Sequence, residues 1–351
     1  MNVSHHKVSI RALADALSMS KSTVSRALND YPDISAQTKH RVRTMADKLG
    51  YVPSNSAQRL ARGLSGTIGF VIPMGEDLTH APFLSTFLTS LTEGLSQNGL
   101  DLVVHGSRLD RDPVDGYRRL LHAGKVDGFV VIRTRADDPR IRFLIDSQVP
   151  FISHGRTEYC DEHAWFDIDA ESAFKVATQL LIEAGHRQLA FIGETTELYS
   201  AQLRLKGFRQ ALNDYGVTQP PIILPGDLTD ENGFKQGMVL LKTHPEVTGI
   251  VCVNDAMAFG VLEAARQSNR TVPDTLSVIG YDNVPYGGFS SPPLTTFNNL
   301  APRAGDLLAE ALVELIAGGS FRDHQTLWTT DLIQRKTVAP LVTTPSKPTM
   351  E

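Results

Sequence analysis

The chain has 351 residues, 41% hydrophobic and 21% charged with a net charge of −5, the composition of an ordinary globular protein with room for two or three domains. No apolar run reaches the ~20 residues of a membrane span, and the opening MNVSHHKVSI lacks the apolar core of a secretory signal. Two cysteines, Cys160 and Cys252, allow neither a disulfide framework nor a four-cysteine zinc site, so a cytoplasmic protein with no membrane partner and no cofactor or metal is expected.

The charge is unevenly divided. Residues 1–62 hold ten Lys/Arg against four acids, a net of +6, which leaves −11 for the other 289 residues. A basic head on an acidic body suits a chain whose head alone meets a polyanion, although a helical bundle with a solvated basic face would show the same charge. In the head, Ile10, Leu13, Ala14 and Leu17 recur at helical spacing after Ser9, an N-cap candidate. Ser18-Met19-Ser20 then gives a connector of helix-turn-helix length. The next run, Lys21 to Asn29, turns Val24, Ala27 and Leu28 to a core and Lys21, Ser22, Ser25, Arg26 and Asn29 outward, polar groups suited to base edges. Asp33-Ile34-Ser35 opens a third helix through Val42, Met45, Ala46 and Leu49, ended by Gly50.

From Thr67 the period changes. Short apolar runs at 68–72, 102–104, 128–132 and 151–152, then at 189–192, 222–224, 250–253 and 277–280, read as buried parallel strands, with helices near 171–184, 202–215, 231–243 and 256–268 between the later ones. Two such series predict two doubly wound α/β lobes with a ligand crevice at the carboxyl ends of their strands. GxGxxG, GxxxxGK[ST] and GxSxG motifs are all missing, which argues against a dehydrogenase, a P-loop NTPase and an α/β-hydrolase. His154, His163, His186 and Cys160 form no catalytic or metal set, so an enzyme is not expected.

VSIRALADALSMSKSTVSRALN followed by ISAQTKHRVRTMADKLGYVP resembles the DNA-binding domain of the LacI/GalR family of bacterial transcription repressors, and Ala57-Gln58-Arg59-Leu60 is similar to that family's hinge helix. The resemblance implies a sequence-specific repressor of a carbohydrate-utilisation operon that binds a palindromic double-stranded DNA operator as a homodimer. Lys21, Ser22, Thr23, Ser25, Arg26 and Asn29 are then the major-groove candidates, and Lys7 and Arg59 face phosphates. Ala57 and Leu60 enter the minor groove, where Leu60 would wedge open a base step. Two residues depart from the family. Ser18 stands where glycine is common, so a left-handed backbone there costs some stability, and Ser54 replaces an asparagine after the proline but remains a good N-cap.

LLIEAGHRQLAFIG, LRLKGFRQAL, GIVCVNDAMAFGVLEAA and LSVIGYDNVPYGGFSSPPLTTF are similar to the effector domain that these repressors share with periplasmic sugar-binding proteins. The resemblance implies an all-α helix-turn-helix head (1–52), a hinge helix and linker (53–66), a two-lobed effector-binding and dimerisation domain (67–340) and a disordered tail (341–351). Lobe 1 would comprise about 67–167 plus 297–328, and lobe 2 about 168–296 plus 329–340, with chain crossings near Asp167, Phe297 and Trp328. A small-molecule effector, a mono- or disaccharide, would be held between the lobes by Arg204, Asp282, Asn254, Asp255, Phe166, Phe83 and Asn299. Asp255 serves equally well as a helix cap, and Trp165 competes with Phe166 for the cleft because strand alternation turns one of the two into the core. The alternative, a sugar-binding protein without DNA regulation, is opposed by the head.

Overall fold

The computed structural model describes residues 8–51, 64–74, 82–108, 110–194, 197–298 and 301–341, the side chains of 73–74, 82–83 and 301–302 excepted. Contacts divide the chain into two units, residues 1–66 and 67–351. In the first, α1 (Ile10–Leu17), α2 (Lys21–Leu28) and α3 (Ala36–Leu49) each start on a serine: Ser9, Ser20 and Ser35 accept the backbone N–H of Ala12, Thr23 and Thr38. Each cap satisfies one of the donors a helix start leaves open. Ser18 takes the left-handed conformation, φ +53°, and Met19 N–H then closes on the Ala14 carbonyl at 3.0 Å. Serine therefore adopts the backbone for which glycine would be cheaper. Leu13, Ala14, Leu17, Val24, Ala27, Val42 and Ala46 form the core, with Leu28 only partly buried against it.

The second unit holds two parallel sheets. The first runs β11-β5-β4-β3-β1-β2 from β1 (Thr67–Met74), β2 (Asp101–Arg108), β3 (Gly128–Ile132), β4 (Phe151–His154), β5 (Ala164–Ile168) and β11 (Gln325–Trp328). The second runs β7-β6-β8-β9 from β6 (Leu189–Gly193), β7 (Ile222–Pro225), β8 (Gly249–Cys252) and β9 (Ser277–Ile279). Every pairing within both sheets is parallel. β3, β6, β8 and β9 are buried along their whole length, which is why they read as continuous apolar runs.

The chain leaves the first sheet after β5, returns after β10 (Thr296–Phe297) through the helix Ala301–Ile316, and leaves again after β11. β12 (Leu332–Ile333) pairs antiparallel with β10. The following segment packs on the second sheet's lobe: Val278 N–H reaches the Thr337 carbonyl at 2.9 Å and Leu341 N–H the Ala184 carbonyl at 2.7 Å. β5, β11 and the short β10 and β12 were not among the expected apolar runs; β10 and β12 have two residues each, too few for a period to show. In the second lobe the helices Ala170–Glu183 and Tyr199–Asp214 meet so closely that a Cβ on Gly207 would lie 2.0 Å from the Glu171 carbonyl oxygen. That glycine is required by contact.

Strand order reverses between β1's neighbours β2 and β3, and between β6's neighbours β7 and β8. Such switch points leave a crevice beyond the carboxyl ends of the strands. In this fold the two crevices face one another.

Candidate functional site

Two places carry groups suited to recognition. In the head, Lys21, Ser22 and Arg26 are exposed on α2 opposite buried Val24 and Ala27, whereas Thr23, Ser25 and Asn29 are half-buried. The side chains of two of these are engaged locally: Thr23 Oγ1 lies 2.9 Å from Ser20 Oγ at the cap, and Asn29 Nδ2 donates to the Ser25 backbone carbonyl at 2.9 Å. Arg26 pairs with Asp33 at 2.5 Å and sits 5.2 Å from the Tyr31 ring centroid. Lys7, Arg59, Ala57 and Leu60 lie outside the described residues.

In the body, a cavity of about 160 Å³ lies between the lobes. Its walls are strand ends. From the first lobe come Ile132 at the end of β3 and Arg133 after it, His154 of β4, and Asp167 and Ile168 of β5; from the second come Glu194 after β6, Val253 and Asn254 after β8, and Tyr281 and Asp282 after β9. Arg204 and Ser200 reach it from the helix Tyr199–Asp214. Of the residues expected to hold an effector, Arg204, Asp282 and Asn254 line this cavity.

Arg204 is held over aromatic faces, its guanidinium carbon 5.1 Å from the Tyr281 ring centroid and 5.7 Å from that of Phe174. Its Nε is buried with no hydrogen-bond partner, and a buried donor left unmatched is costly. Asn254 lines the cavity but is committed: Oδ1 caps the helix Asp255–Gln267 by accepting from Met257 N–H at 2.8 Å, and Nδ2 donates to the Leu228 carbonyl at 3.0 Å. Asp282 occupies the left-handed half of backbone space, φ +125°.

Two expected contacts need correction. Phe166 is 2% exposed and packs at 5.8 Å from His154 and 5.6 Å from Trp328, inside the first lobe's core. Trp165 is no replacement: it does not line the cavity, and its indole N–H is bound to the Cys160 carbonyl at 2.9 Å. Asp255 is fully buried and away from the cavity. It accepts the Thr296 hydroxyl at 2.6 Å and the Val284 N–H at 2.9 Å, tying its helix to the loop after β9. Burial pushes its carboxyl above the usual carboxylate range, against those two bonds. Phe83 falls in the first turn of the helix Pro82–Gln97 with its side chain outside the described set, and Asn299 is outside it altogether.

The cavity brings together ionisable groups that sequence reasoning did not combine. Arg133 Nη2 pairs with Glu194 at 3.0 Å across the lobes, and Arg156 Nε with Asp167 at 2.9 Å within the first. Three carboxylates (Asp167, Glu194, Asp282) line the space with two guanidiniums (Arg133, Arg204), and burial holds His154 below the usual histidine range and so neutral near pH 7. A lining with this balance offers many acceptors and few unopposed cations, the chemistry of a polyhydroxyl ligand more than of a phosphate. The lobes also meet beside it: Tyr199 N–H donates to the Thr134 carbonyl at 2.9 Å, Arg135 bridges Leu198, and Arg135 pairs with Glu197 at 3.0 Å. Among the described residues no group of three or more His, Cys, Asp or Glu has metal-site geometry, and no helix is long and apolar enough to cross a membrane.

A helix-turn-helix head with an exposed polar second helix, joined to a body with a ligand cavity between two parallel α/β lobes, defines a DNA-binding transcriptional regulator. The model of the lacI family of bacterial regulatory proteins matches residues 9–54, and that of a periplasmic binding protein-like domain matches residues 178–338. The chain is 32% identical over 339 residues to the HTH-type transcriptional regulator AglR of Rhizobium meliloti (strain 1021), covering 95% of each. It is similar in structure to a transcriptional regulator CelR–cellobiose complex, at 28% identity and a TM-score of 0.68, over 94% of this chain and 99% of that one. It is likewise similar to the Lac repressor dimer bound to operator and the anti-inducer ONPF, at 26% identity and a TM-score of 0.77, over 95% and 99%. The chain belongs to the LacI family of bacterial regulatory proteins.

Proposed function

We propose that this regulator represses a carbohydrate-utilisation operon in the cytoplasm, binding a palindromic operator as a homodimer and answering to a neutral mono- or disaccharide held between the lobes. The observation that carries the sugar is Arg204: a buried, unmatched donor backed by aromatic faces in a cavity richer in carboxylates than in cations. At about 160 Å³ the space is smaller than the roughly 300–1,000 Å³ of drug-sized clefts, which favours one pyranose-sized ring in this closed arrangement. Two relatives support the class of ligand and partner, one solved with cellobiose and one as a dimer on operator. Phe289, 90% exposed, and Tyr286, 61% exposed, give the second lobe an aromatic edge suited to a second copy of the chain.

In this proposal 1–52 is the reading head, 53–66 the hinge, 67–340 the effector-binding and dimerisation domain and 341–351 a tail whose first residue, Leu341, is still bonded to the second lobe. Lys21, Ser22 and Arg26 read bases, with Thr23, Ser25 and Asn29 in support, while Ala57 and Leu60 act at the minor groove. Arg204, Asp282 and Asn254 hold the effector. A ligand touching both lobes biases the closed arrangement only through contacts that opening would break, and Arg133–Glu194 and Thr134–Tyr199 are the bonds it would reinforce. The test is calorimetry of the full chain against a panel of neutral sugars, followed by operator binding with and without the sugar that binds. One sugar should bind saturably and lower operator affinity. If only phosphorylated or amino sugars bind, the ligand class is wrong; a sugar that tightens the operator complex removes the repressor–inducer sense.

A further inference from the structure

A second cavity, of about 210 Å³, opens beyond the carboxyl ends of β1, β2 and β3 on the first lobe, separated from the effector cavity by Arg133 and Leu198, which line both. Among the described residues five arginines line it, Arg108, Arg111, Arg133, Arg135 and Arg140, against one carboxylate, Asp138. Its floor is Tyr117, 0% exposed, whose hydroxyl lies against the Arg140 guanidinium without a well-formed hydrogen bond to it or to any other described group.

Asp138 offsets one of these charges, that of Arg140, and leaves Arg111 and the three arginines whose own partners, Asp110, Glu194 and Glu197, are not among the lining residues. Asp138 is itself buried and saturated by Arg135 N–H, Arg140 N–H and the Arg140 guanidinium at 2.7–3.0 Å, and it locks Arg140 as a fixed cation with Nη2 also on the Arg133 carbonyl at 2.8 Å. Arg111 forms no ion pair among the described residues. Arg108 and Arg135 hold Asp110 and Glu197 through exposed pairs, which contribute little and exchange readily. A neutral floor donor, a fixed guanidinium and three adaptable guanidiniums around a small space match the oxygens of a tetrahedral dianion, which Arg binds in two-pronged fashion.

We propose that this cavity is a second ligand site that takes a small oxyanion of the phosphate class, bound by Tyr117, Arg140 and Arg111 with Arg108 and Arg135 closing over it. Arg133 and Arg135 also make the ion pairs to the second lobe, so the oxyanion acts where the lobes meet.

The test is calorimetric titration of the full chain, without DNA, with inorganic phosphate and separately with a hexose 6-phosphate at constant ionic strength. The basic head also attracts phosphate, so the variants decide the location. Tyr117→Phe removes only the unmatched hydroxyl and should leave the unfolding temperature unchanged while weakening phosphate binding about tenfold or more, as does Arg111→Gln. Equal affinity for the two probes assigns the site to the free ion, and tighter hexose phosphate assigns it to a monoester; either supports the site. Absence of saturable binding by both probes overturns the proposal. So does saturable binding that both variants leave intact, which would mean that the ion sits elsewhere.

Discussion

In the head, Lys21, Ser22 and Arg26 stand on the open face of one helix, eight residues long, whose opposite side is buried. In the body, Arg204, Asp167, Glu194 and Asp282 face an enclosed space, brought there by three separate strand ends and a helix. The contrast follows from the ligands. A polyanion is met from outside, across water, by groups that need only share a surface. A small polyhydroxyl molecule exchanges water for protein at every contact, so its partners must be fixed and desolvated beforehand. The head can therefore be small and depends on few core residues, whereas the cleft requires two complete sheets to hold it.

The largest effect should come from breaking the smaller core. Leu13 is fully buried at the junction of α1 with α2 and α3. Leu13→Ala should cost about 2–5 kcal/mol, most of what so small a unit can supply. Specific operator binding should disappear while sugar binding and the main calorimetric unfolding transition of the body persist. Normal operator binding by this variant would mean that the head draws its stability from elsewhere.

Arg204→Ala tests the opposite pole. Loss of a charge-assisted contact of about 1.5–3 kcal/mol should lower sugar affinity roughly tenfold to a hundredfold. Effector-free operator affinity, read by fluorescence anisotropy, should stay within a factor of about two of the parent, since no described head residue is touched. Full sugar affinity in this variant would place the effector outside the cavity.

The two regions were also unequally legible in the sequence. The head's recognition helix and its cap appear as a period, because exposure alternates along one continuous helix. Body helices were located closely, 171–184 against Ala170–Glu183 and 231–243 against Asp230–Thr243, and β3 matches residue for residue. The cleft was read only in part. Arg204, Asn254 and Asp282 came from family motifs; Arg133, His154, Glu194 and Tyr281 were missed, though each ends or follows an apolar run and a rule of strand carboxyl ends would have found them. Phe166 was misplaced because alternation decides between neighbours only when one knows which face of β5 is covered, and that cover is the helix Ala301–Ile316, far later in the chain. Asp255 resembles a cleft residue by position and is a buried tie by geometry, since its partners Val284 and Thr296 lie 29 and 41 residues on.

Enclosure has a further consequence in the body. Burial lowers the pKa of His154, His163 and His186 below the ordinary 6.5. His163 and His186 are fixed by two bonds each, the latter to Thr248 Oγ1 at 3.0 Å and to the Ala339 carbonyl at 3.2 Å. Between their depressed folded values and about 6.5 the unfolded chain holds more protons than the folded one, so stability rises with pH there and is lost as pH falls below about 6.5. Each histidine should contribute up to about 1.4 kcal/mol per pH unit within that window. Urea midpoints of the body measured from pH 7.5 down to 5 should fall, and His186→Gln should flatten the slope. An unchanged slope would mean that His186 accepts its proton in the fold.

The smallest effect concerns the head's exposed face and separates two meanings of one ion pair. Arg26 and Asp33 are about equally exposed, 46% and 47%, at 2.5 Å. Such a pair stabilises by about 0–1 kcal/mol, so Asp33→Asn should barely alter the head's unfolding. Its effect on DNA should be larger than its effect on the fold, because it removes an anion beside the phosphates and releases a guanidinium at once. If the pair only withholds Arg26, operator and scrambled duplexes should both bind more tightly, by less than about tenfold, with a steeper salt dependence. If the pair aims Arg26 at a base edge, the scrambled duplex should gain and the operator should not, so the ratio between them narrows. Anisotropy titrations of both duplexes at two salt concentrations distinguish these outcomes, and a loss of affinity for both would mean that Asp33 helps to build the reading surface itself.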